Sequence, residues 1–183
     1  MNFVATELSG AFLVELSPFQ DQRGEFARTF CKREFEQIGH TAEFVQLNHS
    51  WNTRAGTLRG LHFQYPPFAE VKLIRCIRGK VFDVIVDIRK DSPTFLKHIG
   101  VELSSKNRRM IYVPNGFAHG FITMEDNSEL IYHHTNYYTP GHEGGIRYDD
   151  PGLGIPWPLE VEVISQKDLN LSFLNDSFLG LEI

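Results

Sequence analysis

Apolar and polar residues alternate most regularly in the run KVFDVIVDI, residues 80–88. Phe82, Val84, Val86 and Ile88 fall on one side of an extended chain, Asp83 and Asp87 on the other. That is the period of two expected of a β-strand. Similar runs rich in Val, Ile, Phe and Tyr recur: VKLIRCI (71–77), KHIGVEL (97–103), RMIYVP (109–114), GFITM (120–124) and ELIYHHT (129–135). The stretches RGK, KDSP, SSKN, PNG and EDNS separate them as turn signals. Short strands at this spacing predict an all-β sandwich or barrel. One helix is predicted over residues 31–39, CKREFEQIG, where Phe35 and Ile38 share a face and Gly39 can cap the end. Beyond about residue 158 short apolar and polar groups mix, and no element is assigned.

The chain of 183 residues suits one domain, with no linker, repeat or low-complexity tract. Its net charge of -5 argues against a nucleic-acid partner. No run approaches the ~18–20 apolar residues of a membrane span. The N-terminal MNFVATELSG has neither a basic region nor a long apolar core. Two free thiols, Cys31 and Cys76, in a reducing cytoplasm are therefore expected.

The run GTLRGLHFQYPP (56–67) changes this picture, because Arg59 and His62 interrupt an apolar strand. Either the strand lies at an edge with these groups in water, or its inner face lines a cavity. Their odd separation would send them to opposite faces of an ideal strand. A bulge at Gly60 would bring them to one side, or Arg59 would reach in from a strand edge. Gly56 and His62, with Glu70 and Gly79 after them, and the Pro-x-Gly-x-x-His of PNGFAHGF (114–121), resemble the paired motifs of the cupin superfamily. That resemblance implies a double-stranded β-helix, or jelly roll, with short flanking helices. Metal-binding cupins carry two histidines one residue apart in the first motif, and here the second position is Gln64. A triad of His62, Glu70 and His119 can be drawn, but the loop to Glu70 is long and Gln64 is a poor ligand. No metal is expected.

A closer resemblance rests on motifs from about residue 10 to 170. These are DQRGEF (21–26), FVQLNHS (44–50), GTLRGLHFQYPP (56–67), KLIRCIRGKVFDVIVDIRKDSPTF (72–95), YVPNGFAHGF (112–121), TNYYTP (135–140) and SQKD (165–168). Together they resemble the dTDP-4-dehydrorhamnose 3,5-epimerase family. The resemblance implies a cofactor-independent enzyme that inverts the carbons flanking the ketone of a nucleoside-diphosphate 4-keto-6-deoxy sugar. It also implies a homodimer in which the N-terminal segment of one subunit completes the other's site.

Such chemistry needs a base on one face of the sugar, an acid on the other and positive charge near the developing enolate. By resemblance His62 is the base, Asp168 its carboxylate partner and Tyr132 the proton donor, with Tyr137 and Tyr138 nearby as competitors for that role. Lys72 and His119 are aimed at the ketone oxygen. Arg59 suits the pyrophosphate through bidentate hydrogen bonds. Arg23 is the second phosphate or nucleotide contact, expected from the partner subunit. Gln46, Asn48, Tyr138, Glu143 and Lys167 match further binding positions. Phe26 is expected against the nucleotide, with ordinary core packing as the alternative. Arg28 departs from the family, which often has Glu there. It opens CDP- or GDP-sugars beside a favoured dTDP-sugar, unless it only makes a surface ion pair. The rival readings are a sugar nucleotide 3,4-ketoisomerase, a non-catalytic cupin and a metal-dependent one.

Overall fold

The computed structural model describes residues 1–175 and 177–183. Along them run β1 (Asn2–Ala5), β2 (Phe12–Glu15), β3 (Phe19–Asp21), β4 (Gly24–Phe26), β5 (Gln46–Asn52), β6 (Leu58–Gln64) and β7 (Lys72–Arg78). They continue with β8 (Lys80–Asp87), β9 (His98–Ser104), β10 (Met110–Val113), β11 (Phe117–Thr123), β12 (Ser128–His134) and β13 (Glu143–Gly145). One sheet has the order β1-β2-β10-β7-β12-β5 and the other β13-β6-β11-β8-β9, while β3 and β4 form a separate hairpin. Every pairing between these strands is antiparallel. The result is the expected all-β jelly roll, two sheets face to face.

The predicted helix is shorter than its pattern. It comprises α1 (Lys32–Phe35) and a 3₁₀ turn over Glu36–Ile38, closed by Gly39 at φ 78°. Phe35 is fully buried against Phe3, Phe30 and Tyr112 on the outer side of the six-stranded sheet. A second short helix, α2 (Gln166–Leu169), lies in the C-terminal stretch where the sequence assigned nothing.

Strand β8 shows how the layers are built. Val81 and Ile85 enter the inter-sheet core, and Asp83 between them is fully buried. Phe82, Val84, Val86 and Ile88 point the other way, where Leu153, Trp157, Phe178 and Leu181 cover them. The alternation thus identifies the strand, but its polar side faces the interior rather than water. The outer face is sealed by the irregular chain that follows β13.

The inward faces also change along the strands. Leu130, Tyr132 and His134 of β12 stand opposite Cys76, Ile74 and Lys72 of β7. The apolar members close on Leu103, Ile111, Phe117 and Phe121 as one core. The polar members leave the other end of the space between the sheets hollow.

Candidate active site

His62 and Arg59 reach one hollow because β6 is bulged. His119 of β11 faces His62, whereas Phe121 faces Arg59, so β6 carries one extra residue between these pairs. Gly60 lies in that extra length with φ 114°. A Cβ there would stand 2.6 Å from both Gly120 Cα and the His119 carbonyl oxygen. Arg59, His62, Lys72, His119, Tyr132 and Asp168 all line this hollow. An adjoining hollow shares His62, Lys72 and Lys167 and extends to Gln46, Tyr138 and Glu143.

His62 Nε2 is 2.8 Å from Asp168 Oδ1. The carboxylate only accepts, so Nε2 carries the proton and Nδ1 keeps its lone pair for a ligand. Asp168 is 4% exposed. Its other oxygen accepts from the Gly60 N–H at 3.1 Å, and Ser165 caps α2 by accepting from Asp168 N–H at 3.0 Å. Burial works to raise the Asp168 carboxyl, but its bond and charge contact with His62, with the Gly60 N–H, hold it below the usual carboxylate range. The half-exposed imidazole thus has a fixed tautomer and a fixed plane.

A second dyad was not foreseen. His119 Nε2 lies 2.9 Å from Asp83 Oδ2, both buried. Burial drives the imidazole below its ordinary value despite the carboxylate, so His119 is neutral. With Nε2–H given to Asp83, its Nδ1 accepts and does not donate. This geometry differs from the expectation that His119, in the region of the ketone oxygen, can donate a hydrogen bond there; this ring suits a ligand hydroxyl. The signal for Asp83 was present in the polar side of the 80–88 alternation.

Tyr132 comes from the opposite sheet, packed edge-on to His119 with ring centroids 6.0 Å apart. Burial and the nearby Asp83 charge push its phenol well above the ordinary value, keeping it protonated as a proton donor must be. Lys72 is 7% exposed, with Nζ 3.2 Å from Glu70 Oε1 and 3.4 Å from the His62 carbonyl oxygen. The metal triad that the sequence allowed is not assembled: His62 is committed to Asp168, His119 to Asp83 and Glu70 to Lys72.

Arg59 donates from Nε to Asn52 Oδ1 at 2.8 Å, and Asn52 is itself buried and bonded to the Ser128 carbonyl. The outer guanidinium N–H groups remain for an anion. No sequence signal marked Asn52. Near the mouth, Tyr138 Oη and Lys167 Nζ both donate to Glu143 Oε1, at 2.9 and 3.1 Å. These two bonds, with backbone N–H groups, hold the Glu143 carboxyl down to about 2.

Three expected binding residues do not join the site within one chain. Arg23 and Phe26 line a separate concavity on the β3–β4 hairpin with Phe19 and Asp21. Arg23 pairs with Asp21. Phe26 is 78% exposed, which removes its reading as a core residue. Arg28 Nη1 lies 2.5 Å from Glu34 Oε1, whose partner oxygen takes the N-terminal amine at 2.9 Å.

A model of the dTDP-4-dehydrorhamnose 3,5-epimerase family matches residues 5–176. The chain belongs to that family. The dTDP-4-dehydrorhamnose 3,5-epimerase of Shigella flexneri is 46% identical over 171 residues, covering 93% of this chain and 94% of its own. The solved dTDP-4-dehydrorhamnose 3,5-epimerase of Bacillus anthracis, with TDP and PPi bound, superposes with a TM-score of 0.92 at 43% identity. That match covers 94% of this chain and 99% of the other. The dTDP-6-deoxy-D-glucose-3,5-epimerase of Legionella pneumophila, in complex with dTDP-4-keto-L-rhamnose, gives 0.91 at 40% identity, covering 100% and 98%. This family member is an epimerase of the isomerase class, acting in deoxysugar biosynthesis. Membership sets aside the ketoisomerase and non-catalytic readings.

Proposed function

We propose that this epimerase inverts C3 and C5 of a dTDP-linked 4-keto-6-deoxy sugar by proton removal and return through an enolate. One observation carries the reading: His62 and Tyr132 project from opposite sheets into the same hollow. His62 Nδ1 takes the proton next to the ketone on one face of the sugar. Asp168 stabilises the imidazolium that forms. Tyr132 returns a proton to the carbon from the other face, and the Lys72 ammonium faces the oxygen where negative charge grows. Arg59 and Lys167 hold the pyrophosphate, with Gln46, Asn48, Tyr138 and Glu143 toward the nucleotide.

The reading includes a homodimer that brings Arg23, Phe26 and Arg28 of one subunit to the other's mouth. In its support, Phe19 and Phe26 are 71% and 78% exposed on the hairpin. Leu47 and Trp51 are likewise bare on β5, an edge strand whose other side lines the site. The free Cys31 and Cys76 support a reducing, cytoplasmic setting.

NMR in deuterated water with dTDP-, CDP- and GDP-4-keto-6-deoxy sugars tests the function. Deuterium is expected at C3 and C5 of the dTDP-sugar without added metal. His62→Ala should lower exchange by about 10²–10⁴-fold. Tyr132→Phe should still exchange on the His62 face while losing inversion. No exchange with any of the three sugars refutes epimerisation; exchange with the CDP- or GDP-sugar alone refutes the dTDP assignment.

A further inference from the structure

Lys72 is a buried cation, its side chain 9% exposed. An ammonium so placed needs a partner, because desolvating a lone charge is costly. Glu70, two residues earlier and 7% exposed, is that partner. Its second oxygen accepts from Gln64 Nε2, and His134 Nδ1 stands 3.8 Å from the first. Burial works to raise the Glu70 carboxyl, but His134, Lys72 and Gln64 hold it below the usual range.

The orientation of His134 follows from its neighbours on β5. The Tyr138 N–H donates to Gln46 Oε1 at 3.0 Å, and Gln46 Nε2 donates to Asn48 Oδ1 at 3.2 Å. Asn48 Nδ2 is then left to donate to His134 Nε2 at 3.3 Å. Since Nε2 accepts, the ring proton sits on Nδ1, toward Glu70. A line of polar contacts therefore runs from Tyr138 at the mouth to Lys72 beside the His62 strand.

We propose that Glu70, steered by His134, is the positioning residue that aims the Lys72 ammonium at the reacting oxygen. The inference rests on the epimerase reading above. Glu70 acts through Lys72. Of the three Nζ–H groups one meets Glu70 and a second the His62 carbonyl, which directs the third. A displaced ammonium would still balance charge in the hollow but would miss the oxygen on which the enolate charge develops.

The test compares wild type, Glu70→Gln, Glu70→Asp, His134→Gln, Lys72→Met and the double variant Glu70→Gln/Lys72→Met, each with its melting temperature. In Glu70→Gln, kcat should fall by about 100-fold while KM stays within about twofold. Glu70→Asp should recover part of the loss, and His134→Gln should lower kcat by less. Glu70→Gln should add less than about twofold to the loss caused by Lys72→Met, since both act through one ammonium. Wild-type kcat in a Glu70→Gln protein that melts normally overturns the proposal, as does full additivity of the two losses. If Glu70→Gln does not fold, unchanged kcat in both Glu70→Asp and His134→Gln overturns it. A wild-type enzyme inactive on all three nucleotide sugars overturns the epimerase reading itself, and that outcome is seen before any variant is measured.

Discussion

His40, His98, His119 and His133 are held below the ordinary imidazole value, in each case mainly by burial. His40 is the plainest case. It bonds Tyr112 Oη through Nδ1 at 3.2 Å, stacks on Phe44, and its buried Nε2 has no hydrogen-bond partner among the described residues. Below about pH 6.5 the unfolded chain protonates these rings while the folded chain resists. The unfolded state then binds more protons, so stability falls as the pH drops. The depressed carboxyls of Glu70, Asp87 and Asp168 keep their contribution until the pH falls through values below the usual carboxylate range. The window between about pH 6.5 and 4.5 therefore belongs to the histidines. The melting temperature followed by circular dichroism should be lower at about pH 5.5 than at about pH 7.5; an equal or higher value contradicts this account. At this scale His62, Tyr132 and His119 were legible because their motifs are specific. Asn52 was not, because its importance lies in its bond to Arg59 across the two sheets, and Asp83 showed as the polar side of β8 but not as the partner of His119 on the neighbouring strand. Glu70 was visible only as a stray acid of a metal motif, and its partnership with Lys72 depends on both being buried.

The strands were legible as elements, since each carries its own alternation. What alternation cannot tell is which side meets water. In β8 one apolar side packs outward under a cover, and the side that carries Asp83 faces the inter-sheet interior with Val81 and Ile85. That cover was unreadable: Leu153, Trp157 and Phe178 follow no period and find their places only against a formed sheet. The bulge in β6 was readable as a parity conflict, and its glycine carries a sharp expectation. Gly60→Ala should cost about 1–3 kcal/mol in backbone strain alone, with more from the approach to Gly120 and His119. It should also abolish exchange by parting Arg59 from His62. Chemical denaturation and the deuterium assay check both, and a variant of wild-type stability and activity contradicts the role given to the bulge.

For the whole molecule, the separation of the β3–β4 hairpin from the hollow makes shared sites testable. In the proposed homodimer, the His62→Ala and Arg23→Ala variants should each be impaired. Mixed, so that subunits exchange, they should regain activity at about one quarter of the sites. Half of the dimers are then mixed, and each mixed dimer holds one site with an intact His62 and an intact partner Arg23. No recovery in verified mixed dimers contradicts donation across the interface. The Arg28–Glu34 pair belongs to the same question, because Glu34 also holds the N-terminal amine and so ties the segment down.

Asp168 is carried by α2, a helix of four residues in the chain that wraps the sheet, and not by either sheet. The barrel core is locked by side chains from many strands, while α2 is held by its Ser165 cap, the two bonds that Asp168 makes to β6, the Lys167–Glu143 pair and the bond from Arg147 to the Leu169 carbonyl. A short segment held mainly by side-chain bonds opens before the whole fold does. When this one lifts, His62 loses the group that fixes its tautomer while the sheets stay intact. Inactivation by warming is therefore expected to precede loss of the β-structure, and activity and circular dichroism followed over the same temperatures check it.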